Sequence, residues 1–160
     1  MAMKGLFDLR TFEHLLHKLE WEYARWQEEP LNTYMAWNFF VTAEQLPDWL
    51  AQRDHRPNDF PYKFKRKRPL LRICSHLANG GKHFRPGNHH SSVASTRAQG
   101  GWVPLGWVPE GWVELPALMV DLTSDEQKAL SSPSASVDAL SLGAQVLAFW
   151  QPYFSGTSGP

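Results

Sequence analysis

The central helix of this protein is predicted by residues 34–53, whose sequence is YMAWNFFVTAEQLPDWLAQR. Apolar side chains cover nearly the whole circumference of this segment, and a helix that is apolar all round is normally the most buried one in its domain. Asn32 or Thr33 can cap its N-terminus. Pro47 removes one donor from the helical hydrogen-bond ladder, so we expect a kink or a restart there. The segment therefore favours a helical domain built around it.

Three further helices are predicted to surround the central one. The first covers about residues 5–28 and carries an apolar stripe at steps of three and four residues. The third starts near Pro69, and the last covers about residues 137–153. Residues 54–65 contain two prolines and no helical period, which predicts a loop. The predicted core consists of Trp37, Phe40, Val41, Leu70, Ile73, Cys74, Leu77, Leu147 and Trp150.

A small β element and a long loop are predicted between the third and the last helix. Strands are expected at about residues 92–97 and at residues 115–122. Residues 101–115 form a tandem repeat, GWVPL-GWVPE-GWVEL, whose prolines exclude a regular helix. The fold class is therefore mainly α, a bundle of about four helices with a small β element and a long Trp- and Pro-rich loop. We expect one helical domain over residues 1–154, with the loop insertion at about 85–115 and a disordered tail at 155–160.

Composition excludes several classes of protein. The chain has 160 residues, 42% of them hydrophobic, which is the size of one ordinary core. It contains no apolar run of about eighteen residues, and its N-terminus lacks the features of a secretory signal, so no membrane association is predicted. A single cysteine, Cys74, excludes an internal disulfide and fits a reducing cytoplasm. The motifs of the common nucleophilic, nucleotide-binding and dinucleotide-binding sites are missing.

The net charge of zero conceals an asymmetry. Residues 1–90 contain fourteen Lys and Arg against ten Asp and Glu, whereas residues 91–160 contain two against six. The excess of positive charge lies in one basic run, Lys63-Phe64-Lys65-Arg66-Lys67-Arg68. Such a run can attract a phosphate backbone, and it is also typical of a solvated face or a charged loop.

The third helix carries a polar stripe opposite its apolar side. At 100° per residue, Arg72, His76, Asn79 and His83 fall within about 60° of one another. Histidine suits general acid and base roles because its unperturbed pKa is about 6.5, and arginine suits a phosphate. Candidate catalytic residues are therefore Arg72, His76 and His83; candidate RNA or phosphate contacts are Asn79, Lys82, Lys65, Arg66, Lys67 and Arg68. A polar stripe is also what any amphipathic helix presents to water, and Gly80-Gly81 is able to end this helix or to permit close packing.

Two other sites follow from the residue types. The histidines at positions 76, 83, 89 and 90 could ligate a metal, but their spacing is irregular and residues 60–109 contain no Asp or Glu, so we predict neither a metal nor another cofactor. Trp102, Trp107 and Trp112 of the repeat can dock a protein partner, since aromatic residues dominate interface hot spots. They can equally fold back onto their own domain, and helix faces of this kind can also pair into a homodimer.

Two motifs resemble those of a family of uncharacterised bacterial helical proteins. Residues 38–49 fit the pattern NFFxTAxxLxDW, and residues 74–84 fit CxxLANGxKHF. The resemblance covers about residues 30–85 and implies a helical fold without implying an activity.

A looser resemblance is to the HEPN superfamily of small helical bundles, many of which are ribonucleases. Their motif places four to six residues between an arginine and a histidine, and this chain departs from it, with three residues between Arg72 and His76. Together with the basic run and the polar stripe, this resemblance implies a HEPN-like protein that contacts RNA or phosphate. If the protein is an enzyme, the expected reaction is RNA cleavage without a metal. The alternative is a non-enzymatic interaction module that uses residues 101–115, and the sequence does not decide between enzyme and binding protein.

Overall fold

The computed structural model describes residues 5–82, 90–100 and 116–154, apart from the side chains of residues 81 and 82. The described chain forms α1 (Phe12–Glu28), α2 (Thr33–Arg53), α3 (Phe60–Arg66), α4 (Pro69–Lys82), β1 (Val93–Gln99), β2 (Ala117–Leu122), α5 (Ser124–Ala129), β3 (Ser136–Asp138) and α6 (Ala139–Phe154). The architecture is a helical bundle with a small antiparallel sheet, as predicted. The predicted tail at 155–160 and most of the predicted loop insertion lie outside the described residues.

The first two helices form where the periodicity places them, with one correction. The side chain of Asn32 accepts hydrogen bonds from the backbone N–H groups of Tyr34 and Met35, which confirms the predicted cap of α2. α2 continues through Pro47 without a break. The prediction that α1 starts at about residue 5 is wrong, because Thr11 caps it and Gly5 and Phe7 have positive φ angles. A residue with positive φ cannot continue a right-handed helix.

The predicted loop at 54–65 is also wrong over its second half, where α3 forms. Pro61 lies in the first turn of α3, where its missing N–H removes no intrahelical hydrogen bond. α4 begins at Pro69, as predicted, and a proline suits the first position of a helix. Pro61, which suggested a loop, therefore lies in the first turn of a helix.

The sheet has the strand order β1-β2-β3, with both pairs antiparallel. Both predicted strands are confirmed. Thr96 pairs with Val120 and Ala98 with Leu118, so these four side chains share the sheet face that carries the buried Val120 and Leu122. The other face is polar, with Asp121 accepting hydrogen bonds from Ser95, Arg97 and Ser136. These hydrogen bonds lower the pKa of Asp121 to about 2, and the bond from Ser136 has the largest effect.

The segment between β2 and α6 contains more structure than the sequence predicts. Thr123 precedes the short helix α5, and the acidic residues in its first turn, Asp125 and Glu126, favour a helix N-terminus. β3 lies between α5 and α6, and the carboxylate of Asp138 caps α6 by accepting the N–H of Ser141 at 2.7 Å.

The core lies where α1, α2, α4 and α6 meet. Its fully buried large side chains are Trp26, Trp150, Phe12, Phe39, Leu15, Leu16, Leu19, Leu46, Leu50, Leu71, Ile73 and Leu142. Of the predicted core residues, Phe40, Ile73, Cys74 and Trp150 are buried, and Leu70, Leu77 and Leu147 pack against them partly buried. Trp37 was expected to be central, but 41% of its surface is exposed. An all-apolar helix does not reveal which of its faces meets solvent.

Candidate functional site

The basic run ends α3 and forms the turn into α4, so its side chains point in several directions. Lys65 faces inward, where its Nζ lies 2.6 Å from the Glu44 carboxylate on α2. Both side chains of this pair are only 19% exposed, and the Ser75 hydroxyl donates to the same carboxylate oxygen. Lys65 therefore joins α2 to α3, and its charge is compensated by Glu44.

The other end of the run is exposed. Arg66 and Lys67 are exposed and Arg68 is half-buried, and no carboxylate of the described residues lies within 4.0 Å of their charged groups. The Arg68 guanidinium lies 3.8 Å from the centre of the Phe64 ring, which fixes its position by a cation–π contact. We call Arg66, Lys67 and Arg68 the basic corner.

Arg72 is the point where the predicted polar stripe meets the basic corner. One of its guanidinium nitrogens donates to the backbone carbonyl of Arg66 at 2.6 Å. Its Nε and its remaining terminal nitrogen donate to the two carboxylate oxygens of Glu126, at 3.0 and 2.6 Å. Glu126 is 5% exposed and lies on α5, 54 residues along the chain. The charge of Arg72 is thus compensated by a buried carboxylate in two-point geometry.

His76 holds the start of β1 against α4. Its Nδ1 accepts the backbone N–H groups of Ser92 at 3.2 Å and Val93 at 3.0 Å. A nitrogen that accepts two N–H groups carries no proton, so the proton of the neutral ring lies on Nε2. Burial, together with His90, whose ring centre is 5.8 Å away, lowers the pKa of His76. These contacts favour a structural role for this histidine.

The remaining members of the stripe add little to a reactive site. Asn79 donates to the carbonyl of Ser75 at 2.7 Å, a bond within its own helix. The side chain of Lys82 and the whole of His83 lie outside the described residues. α4 continues through Gly80 and Gly81 to Lys82, so the glycine pair does not end the helix.

An apolar groove of about 610 Å³ separates α2 and α4 from the hairpin of β1 and β2. Small residues line it from both sides, with Ala36 on α2, Gly80 on α4 and Ala98 on β1, and this leaves the space between helices and sheet unfilled. Trp37 forms part of its wall, which explains the exposure of that residue. The described lining of the groove includes His76 and none of the basic corner. Sequence reasoning missed the groove because it depends on which strand residues pair.

Metal ligation and thiol chemistry find no support in the described part of the chain. No three His, Cys, Asp or Glu side chains converge there as metal ligands would. His83 and His89 lie outside the described residues. Cys74 is completely buried, and burial strongly raises the pKa of its thiol. A thiol that stays protonated in an apolar core is a poor nucleophile and a poor metal ligand.

The fold and this site define a helical bundle that combines a small basic corner with an open apolar groove. In the part of the chain that the structure describes, no helix has the length and apolar character needed to cross a membrane. The predicted docking residues Trp102, Trp107 and Trp112 lie outside the described residues. Comparisons with family models, curated proteins and solved structures found no match to this chain.

Proposed function

We propose that this protein binds RNA without cleaving it, through phosphate contacts at the basic corner. The observation that carries the proposal is that Arg66, Lys67 and Arg68 project from one turn with no carboxylate of the described residues within ion-pair distance. Uncompensated cations on a fixed turn are suited to a polyanion, because each phosphate contact releases counterions. Tyr62, which is 63% exposed on the preceding helix, adds an aromatic ring on which a base can stack.

The contacts of the polar stripe support binding over catalysis. A metal-independent ribonuclease needs a free general base and an uncompensated cation beside the scissile phosphate. Arg72 is paired with Glu126, and one nitrogen of His76 is committed to two backbone amides. The proposal therefore retains Arg66, Lys67 and Arg68 as phosphate ligands and leaves out Lys65, Arg72 and His76.

The test compares two doubly substituted proteins that lose the same charge. R66Q/K67Q removes two exposed cations of the basic corner, and R10Q/K128Q removes two exposed cations elsewhere. Binding of a fluorescein-labelled single-stranded RNA is measured by anisotropy over a series of salt concentrations. Each lost phosphate contact lowers the slope of log K against log salt by about 0.7 for a single strand, so R66Q/K67Q should lose about 1.4. R10Q/K128Q should keep the wild-type slope.

Two results would contradict the proposal. The first is RNA binding that is absent, or equally weakened in the two double variants. The second is cleavage of the RNA that resists a chelator and is lost in H83A. This result would favour the HEPN-like ribonuclease predicted from the sequence. Docking of a protein through Trp102, Trp107 and Trp112, and pairing into a homodimer, remain predictions of the sequence.

A further inference from the structure

The apolar groove has the size and lining of a binding site. Its volume of about 610 Å³ falls within the range of about 300–1,000 Å³ that is usual for pockets that enclose a ligand. Leu77, Leu118 and Trp37 contribute apolar walls. Open apolar surface of this kind is normally covered by something.

The strands that line the groove lead directly into the tryptophan repeat. Ala98 and Leu118, which pair across the hairpin, both line the groove. Gln99 and Ala117 are the next pair along the ladder, and residues 101–115 connect the two strand ends beyond it. The close approach of Gly100 to Pro116, whose Cα would lie 2.7 Å from a Cβ at position 100, fixes both ends of this connection side by side. Fifteen residues anchored at one point can reach about 25 Å and return.

We infer that the groove is the intramolecular docking site of residues 101–115, with one or more of Trp102, Trp107 and Trp112 inserted between α2 and the hairpin. Each tryptophan can bury about 150–250 Å². Tethering at the edge of the groove gives the segment an effective concentration in the millimolar range, which an external partner or a second copy has to exceed.

A second segment, which is next in sequence to a helix that lines the groove, is a weaker candidate. Residues 83–89 follow α4, which contributes Gly80 to the groove, and their sequence is HFRPGNH. They contain one large apolar side chain, Phe84, among polar and basic residues. Residues 101–115 contain three tryptophans, three valines and two leucines. Since the groove is lined mainly by apolar side chains, it favours the tryptophan segment.

The test measures solvent access to the three indoles in the full chain. Protein labelled with 5-fluorotryptophan is examined by fluorine NMR, with Trp102, Trp107 and Trp112 assigned through single W→F variants. The shift between H2O and D2O reports exposure. We expect at least one of the three indoles to be protected, and its protection to be independent of protein concentration. A98R, which places a long cation in the groove, should expose that indole, whereas A144R, at an exposed position of α6 away from the groove, should not.

Three outcomes overturn the inference. All three indoles are fully exposed in the wild type, or protection increases with concentration and so assigns the groove to a second copy, or A98R leaves protection unchanged. Should A98R fail to fold, the triple variant W102S/W107S/W112S replaces it. With the groove vacated, this variant should bind the apolar dye ANS more strongly than the wild type, and equal dye binding would contradict the docking.

Discussion

The ion pair between Arg72 and Glu126 gives the sharpest test of how the polar stripe is used. Substituting Arg72 with methionine keeps the length and apolar stem of the side chain but leaves the Glu126 carboxylate, 5% exposed, without its counter-charge. Removing one partner of a buried ion pair lowers the free energy of unfolding by about 3–5 kcal/mol. Because the Arg72 side chain is 31% exposed, water reaches the pair, and we expect R72M to lose about 2–3 kcal/mol.

The measurement is urea unfolding followed by circular dichroism, with R25M as the matched control. Arg25 and Glu28 form an exposed pair at 4.0 Å, whose loss should cost less than about 1 kcal/mol. In the double variant R72M/E126M the carboxylate is also gone, so most of the stability should return. If R72M is no less stable than R25M, then Glu126 does not compensate Arg72, and the cation is free to take part in a phosphate site. That result would refute the proposal that Arg72 has a structural role and that phosphate binding is left to the basic corner.

Three further predictions concern single side chains. Because folding lowers the pKa of His76, the contribution of this residue to stability is complete above the unfolded-state pKa of about 6.5 and is lost as the pH falls below that value. In H76N the amide oxygen can accept the same N–H groups without titrating. The unfolding midpoint of H76N should therefore change less between about pH 7 and 5 than that of the wild type. Cys74 should resist the thiol reagent DTNB in the native protein and react at once in urea; rapid native labelling would show that its part of the core opens. G143A should destabilise the protein by about 1 kcal/mol in urea unfolding, although alanine has a higher helix propensity than glycine. The reason is that the new Cβ would lie 3.0 Å from the Tyr23 ring and 3.1 Å from the Trp26 ring. An increase in stability would mean that these two rings move aside at little cost.

Long periodic segments allowed most of the fold to be predicted. The apolar periodicity of α1 and α6 extends over four turns or more, and such a pattern identifies a helix whatever it packs against. α3 and α5, with seven and six residues, are too short for a period to show, and they depend on local features such as Pro61 in a first turn. The exposed Trp37 was missed because its helix is apolar on every side, so only its tertiary neighbours determine which face is open.

The residues of the candidate site could be predicted, but their partners could not. Arg72, His76 and Lys65 attracted attention as cations or titratable groups on one part of the chain. Their partners lie far away in sequence, Glu126 at 54 positions from Arg72 and Glu44 at 21 positions from Lys65. The pairing depends on how α5 and α2 pack against α4 and α3. The residues near Arg72 and Lys65 in the sequence carry no local signal of this packing, so a structural cation and a functional one look the same there.

The contacts of Arg72 and His76 bear directly on the choice between RNA binding and RNA cleavage. Arg72 is held by α5 and His76 by the first residues of β1, so a reaction at these two groups would require both contacts to be replaced by substrate. Releasing Glu126 from Arg72 would leave a buried carboxylate unpaired, and releasing His76 would leave two backbone N–H groups without their acceptor. The basic corner has no such cost, since no described carboxylate has to be displaced before a phosphate binds. Within the described part of the chain, the proposed phosphate contacts at Arg66, Lys67 and Arg68 would therefore break no ion pair, whereas cleavage at Arg72 and His76 would disrupt existing contacts of the fold.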